Sequence, residues 1–165
     1  MRKQVRLYNM FFPLWMLLFF PVTWLLVIPA NFMFDSLVLF IAVSVLRLHK
    51  KKELYVKSIF RVWIFGFLAD LISAVFMLGV YGVASFKEEN DHFLETFLTN
   101  PWQHPIALLA TAAAIFLAGW VIYLLNRHWT FKKQPLTDIS KRRISLILAV
   151  LTAPYFFLIP LNWLI

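Results

Sequence analysis

The sequence predicts an all-α, polytopic integral membrane protein with five transmembrane helices, the N-terminus cytoplasmic and the C-terminus outside. Three observations carry that prediction. Of the 165 residues, 62% are hydrophobic and 15% charged, where soluble domains carry nearer a quarter charged. The apolar residues gather in runs long enough to cross a bilayer. The charges sit between those runs and alternate in sign, so that fifteen of the sixteen Lys and Arg residues fall on one side and only Lys87 on the other. The positive-inside rule assigns the basic side to the cytoplasm. The net charge of +8 thus reads as topology, and nucleic acid is not an expected partner. The absence of cysteine excludes disulfides, thiolate metal sites and a cysteine nucleophile. The expected location is the plasma (cytoplasmic) membrane of a bacterium, as a multi-pass protein.

The chain reads as one membrane domain, 1–165. Arg2, Lys3 and Arg6 precede a first span, 7–29, too long for the apolar core of a signal peptide and therefore expected to stay uncleaved. Pro21 within it removes a backbone donor and frees carbonyls near Leu17, so a helix break is expected there. A tight turn at Pro29, Ala30 and Asn31 is expected to make an antiparallel hairpin with a second span, 31–48, and to leave Asp35 near the outer interface within reach of water. A basic loop containing Arg47, His49, Lys50, Lys51 and Lys52 leads to the third span, 57–84. The outer loop, 85–105, holds Glu88, Glu89, Asp91 and Glu95, with Phe93, Leu94, Phe97 and Leu98 at helical spacing, which predicts an interfacial amphipathic helix. The fourth span, 106–126, carries Ala107, Thr111, Ala114 and Ala118 on one stripe, a surface that allows close helix packing. A second basic loop follows, and the fifth span, 144–164, is broken at Pro154 and Pro160.

Asp70 lies deep in the third span. An acid at the bilayer midplane costs at least about 2.5–3.5 kcal/mol, so it needs compensation. Gly66, Asp70, Ser73 and Met77 share a helical stripe; Arg61 falls on the opposite side and can snorkel to the surface. Pro21 and Pro154 are expected at the same depth. The candidate substrate- or ion-binding residues are therefore Asp70, Ser73, Gly66, Thr111 and Thr152, with Pro21 and Pro154 as helix breaks. Two readings stand side by side: a proton- or cation-coupled site, and a protonated acid that joins helices or subunits.

Glu88, His92 and Glu95 would share one face of an outer-loop helix and are the weak metal-ligand candidates, set against an ordinary acidic loop; no metal and no cofactor is assigned. Lys50, Lys51, Lys52, Lys141, Arg142 and Arg143 are expected to contact anionic lipid headgroups. No hydrolytic, phosphoryl-transfer or metalloprotease motif occurs, and an intramembrane enzyme would need two acids or a nucleophile and base at matching depth, so no enzyme is expected. Leu124-Leu125-Asn126-Arg127-His128-Trp129-Thr130-Phe131 resembles the Asn-Arg-x-Trp-x-Phe signature that ends spans in GtrA-like proteins, which implies a role in moving lipid-linked sugars. The resemblance covers eight residues, and a fifth span follows where that family would have ended. The functional expectation is a small carrier or channel component centred on Asp70. The alternative is a non-catalytic accessory or assembly subunit handling lipid or lipid-linked material. Either is expected to assemble as a homo-oligomer, or with a partner membrane subunit, through spans three and four, among membrane lipids.

Overall fold

The structure, a computed structural model, describes residues 14–48, 50–86 and 91–163, and the regular elements among these residues are all helical. The α-helices are α1 (Trp24–Val45), α2 (Lys51–Ser85), α3 (Asp91–Thr99), α4 (Pro105–Leu125) and α5 (Asp138–Leu151). Three helices are long and apolar enough to cross a membrane: α1, α2, and α4 with its π-helical extension to Thr130. They carry large exposed apolar side chains, Leu25, Leu26, Met33, Phe40, Leu109 and Phe116 among them, as helices surrounded by hydrocarbon do.

The N-terminal half of the expected hairpin is different. Residues 7–13 of the first span lie outside the described residues. Leu14–Phe19 is a 3-10 helix that buries Trp15 and Leu18, followed by a turn through Pro21. The break at Pro21 is present, and the freed carbonyls find donors: Leu17 O accepts from Phe20 N at 3.1 Å and lies within reach of the Thr23 hydroxyl, while Leu18 O accepts from the Trp24 indole N–H at 2.9 Å. The turn expected at Pro29–Asn31 does not exist. α1 runs straight through these residues, with Pro29 inside it. The physical reason is the solvent: a turn in hydrocarbon strands several backbone groups, whereas a proline within a helix removes a single N–H.

α1 and α2 form the antiparallel hairpin instead, joined by a short connection in which Arg47 and Lys50 adopt positive φ of 48° and 55°. α2 absorbs Lys51 and Lys52 into its first turn, where Glu53 pairs with Lys57 at 2.6 Å and Lys50 at 3.7 Å. The amphipathic helix expected in the outer loop is α3, which buries Thr96 and Phe97. Asn100 caps the 3-10 turn Pro101–Gln103 through Trp102 N at 3.1 Å, and Pro105 opens α4. α5 starts on a Thr137 cap and ends at Leu151, before Pro154 and two short 3-10 turns, Tyr155–Leu158 and Leu161–Trp163. At about 1.5 Å per residue α5 is shorter than the hydrocarbon core. The helix break expected at Pro154 is therefore present.

Two apolar clusters fill the interior. One joins Val43, Leu54, Ile122, Phe131 and Ile144 at the basic end; the other joins Trp15, Met77, Phe97, Ala107 and Phe157 toward the acidic end. The α4 stripe of Ala107, Thr111, Ala114 and Ala118 is wholly buried and faces α2, the helix that α4 packs against most extensively. The small-residue stripe of span four is therefore used within the chain, where Ala74 and Met77 of α2 pack with Ala107 and Ala114. Ala114→Leu should overpack this contact and lower stability by about 1–3 kcal/mol, while Ala113→Leu, on the exposed face of the same turn, should leave thermal unfolding in detergent unchanged.

Candidate functional site

The interior between the two apolar clusters is polar. Asp70 is 4% exposed and Asp35 only 1%. Asp35 does not lie at a wetted interface; it sits at the middle of α1, because α1 begins at Trp24, well before the expected start of the second span. Its carboxyl group occupies the space that a side chain at residue 66 would take: a Cβ on Gly66 would lie 2.6 Å from Asp35 Oδ2. Gly66 and Asp70 are one turn apart on α2, and Asn31 and Asp35 one turn apart on α1, so the crossing of these helices brings four residues together. Asn31 Nδ2 donates to Asp70 Oδ2 at 2.9 Å. The two carboxyl groups are near enough to act on each other electrostatically, and the Thr152 side chain lies close enough to act on Asp35.

Each acid retains an unmet oxygen. Asp35 Oδ2 and Asp70 Oδ1 are buried with no hydrogen-bond partner. Among the described residues no cation reaches either acid: the ion pairs are those of Glu53 with Lys50 and Lys57, and Arg61 is exposed, as its position on the opposite face predicts. A buried carboxyl oxygen left without a donor is costly.

The remaining expected site residues divide. Gly66 belongs to the site as the gap that admits Asp35, and Thr152 as a side chain beside it. Ser73 and Thr111 are buried but spend their hydroxyls on their own helices, donating to Asp70 O at 2.9 Å and Ala107 O at 2.9 Å. Thr152 likewise donates to Leu148 O at 2.8 Å. Pro154 ends α5 just beyond Thr152 and holds it level with the pair; Pro21 serves the turn before α1. A turn at Pro29 would separate Asn31 and Asp35 from Asp70, which is why sequence reasoning misses both. Their i, i+4 spacing, matched by Gly66 and Asp70, is the signal that could have found them.

Of the outer-loop candidates, only His92 and Glu95 fall among the described residues, and Glu88 lies outside them. His92 and Glu95 are exposed on α3, and no group of three metal-ligating side chains occurs among the described residues. His92 instead faces His104, with ring centroids 5.9 Å apart.

Gly66 supplies a direct test of the crossing. A Cβ on Gly79, farther along the same helix, would meet nothing within 4 Å, so Gly79→Ala should gain up to about 1 kcal/mol from helix propensity. Gly66→Ala should forfeit that gain and destabilise, because Asp35 must move; paired thermal unfolding curves measure the difference. No family model matches the chain, and no curated protein or solved structure shows detectable similarity to it, so the likeness at Leu124–Phe131 remains local.

Proposed function

We propose that the protein is a small proton- or cation-coupled carrier or channel component whose site is the Asp35–Asp70 pair, set in the cytoplasmic membrane with the basic loops inside. In that arrangement α1, α2, α4 and the α5 segment with its 3-10 continuation cross the bilayer; the expected first span begins outside the described residues. The observation that carries the reading is the pair itself: two acids, nine-tenths or more buried, on crossing helices, each with an unmet oxygen and without a basic partner among the described residues.

Two negative charges this close in a low dielectric repel strongly, so the pair holds one proton or one cation between its members. Loading and release change the charge of the α1–α2 crossing by one unit. That change is the means by which an ion gradient biases how the two helices pack.

A second reading draws on a different observation. Three grooves among the described residues, between α4 and α5, beside His104 and over Lys50–Glu53, are lined by residues other than the two acids. On this reading the pair, once protonated, clamps α1 to α2 in a non-transporting accessory or assembly subunit. A partner subunit or second copy would use faces other than the α2–α4 stripes.

Purified protein in vesicles loaded with a pH-sensitive dye separates the readings. Under an imposed potential the wild type should acidify or alkalinise the lumen faster than protein-free vesicles, and Asp70→Asn and Asp35→Asn should each cut that rate about tenfold or more with normal helicity and thermal stability. Unchanged flux in both variants ends the carrier reading. No flux in the wild type, with a lowered unfolding temperature in both variants, points to the clamp.

A further inference from the structure

Away from the carboxyl pair, α4 and α5 diverge and leave an open groove of about 1170 Å³ between them. It extends along α4 from Ala112 to Arg127, roughly 22 Å at helical rise, more than the depth of one leaflet's hydrocarbon, about 15 Å. The walls are apolar for most of that length, with Phe116, Trp120 and Leu146 among them. One end is cationic. Arg127, His128, Arg142 and Arg143 line it, and no Asp or Glu is among the lining residues.

The arginines are placed, not scattered. α4 continues into a π-helical turn, Asn126–Thr130, in which Asn126 and Thr130 are buried and tied to each other and to Ile122 O, at 2.9 Å in both cases. That turn pins its inner face to the core and leaves Arg127 facing the groove. Arg127 donates to the Tyr123 hydroxyl at 2.7 Å, and Arg142, from α5, lines the same end of the groove and acts electrostatically on the same phenol. Two guanidinium groups from different segments thus meet at one end of the groove, beside a neutral acceptor. Asp138, a turn before Arg142, forms no ion pair with either among the described residues. Convergent guanidiniums without a carboxylate are the donor set that a phosphate group accepts. The Lys50–Lys52 tract is different: it lies over a shallow exposed surface that already includes Glu53.

We propose that the α4–α5 groove binds a single phosphate-headed lipid, with its phosphate between Arg127 and Arg142 and its hydrocarbon tail along the apolar walls toward Ala112. The charge at one end and the greasy length at the other fit an amphiphile and fit neither a free anion nor a neutral lipid. The volume also exceeds that of pockets for drug-sized molecules. This site is independent of the carboxyl pair, so either can fail without the other.

Native mass spectrometry of the detergent-extracted full chain tests it, with phosphatidic acid and phosphatidylcholine as probes. Wild type should retain phosphatidic acid about tenfold over phosphatidylcholine. R127Q combined with R142Q should erase that preference, and K50Q/K51Q/K52Q should preserve it. Ala112 is exposed, so Ala112→Trp fills the groove without touching the core and should weaken phosphatidic acid retention while all the arginines remain. Three results overturn the proposal: equal retention of both lipids by the wild type, an intact preference in the double arginine variant, or displacement of phosphatidic acid by glycerol 3-phosphate as readily as by the lipid itself. Undiminished retention in Ala112→Trp overturns the placement of the tail.

Discussion

The burial of Asp35 against Gly66 is the contact on which the rest of the interior depends. A carboxyl group in hydrocarbon must be enclosed by protein, and α2 can approach it only where a side chain is missing. A Cβ at residue 66 would intrude to 2.6 Å. With the approach allowed, Asn31 falls level with Asp70 and donates to it, which fixes the register of α1 on α2. α2 then presents its other buried positions, Ala74 and Met77, to the small-residue face of α4. The packing of three helices follows from one absent methyl group.

The same contact divides the core. The apolar cluster at the basic end includes Ala69 and Ala149, and the cluster at the other end takes over at Ala74 and Ala153. Asp70 and Thr152 fall in the interval on their respective segments. Pro154 follows closely on the end of α5 at Leu151, which leaves Thr152 as the helix's C-cap, its N–H and hydroxyl both donating to Leu148 O. Trp102, whose indole N–H donates to Leu158 O at 2.7 Å, ties the irregular segment beyond the break to the start of α4.

Much of the membrane architecture was legible in the sequence because the governing physics is compositional. The long apolar runs became α1, α2 and α4, and the amphipathic spacing of Phe93, Phe97 and Leu98 became α3. The stripe of Ala107, Thr111, Ala114 and Ala118 proved to be a packing face, though one used within the chain. What failed was punctuation. Pro29 followed by Ala30 and Asn31 has turn chemistry in water, but inside a bilayer the demand that backbone groups pair with one another outweighs the loss of one donor. The misplaced turn moved Asp35 to the surface and hid the partner of Asp70. Arg127 was hidden for another reason: a π-helical turn shifts the angular position of every residue after it, so ideal helical spacing cannot say which way Arg127 faces.

The polar chemistry of the interior is segregated by depth. Asp35 and Asp70 are buried without a basic partner, and Arg127 and Arg142 form no ion pair with Asp or Glu, among the described residues. In water such a distribution would be neutralised by mobile ions and mean little, but in hydrocarbon the separation has consequences. Moving Arg127 or Arg142 nearer to Asp70 would quench both sets at once, and the helices are long enough to have allowed it. The π-helical turn holds Arg127 at its end of the molecule through the buried Asn126–Thr130 bond, and Arg142 is carried by α5. A chain that needed charge only for topology could have placed its arginines on any exposed turn. Here one arginine is anchored by a buried polar pair and another meets it beside Tyr123, which is how a protein holds cations in position for a ligand.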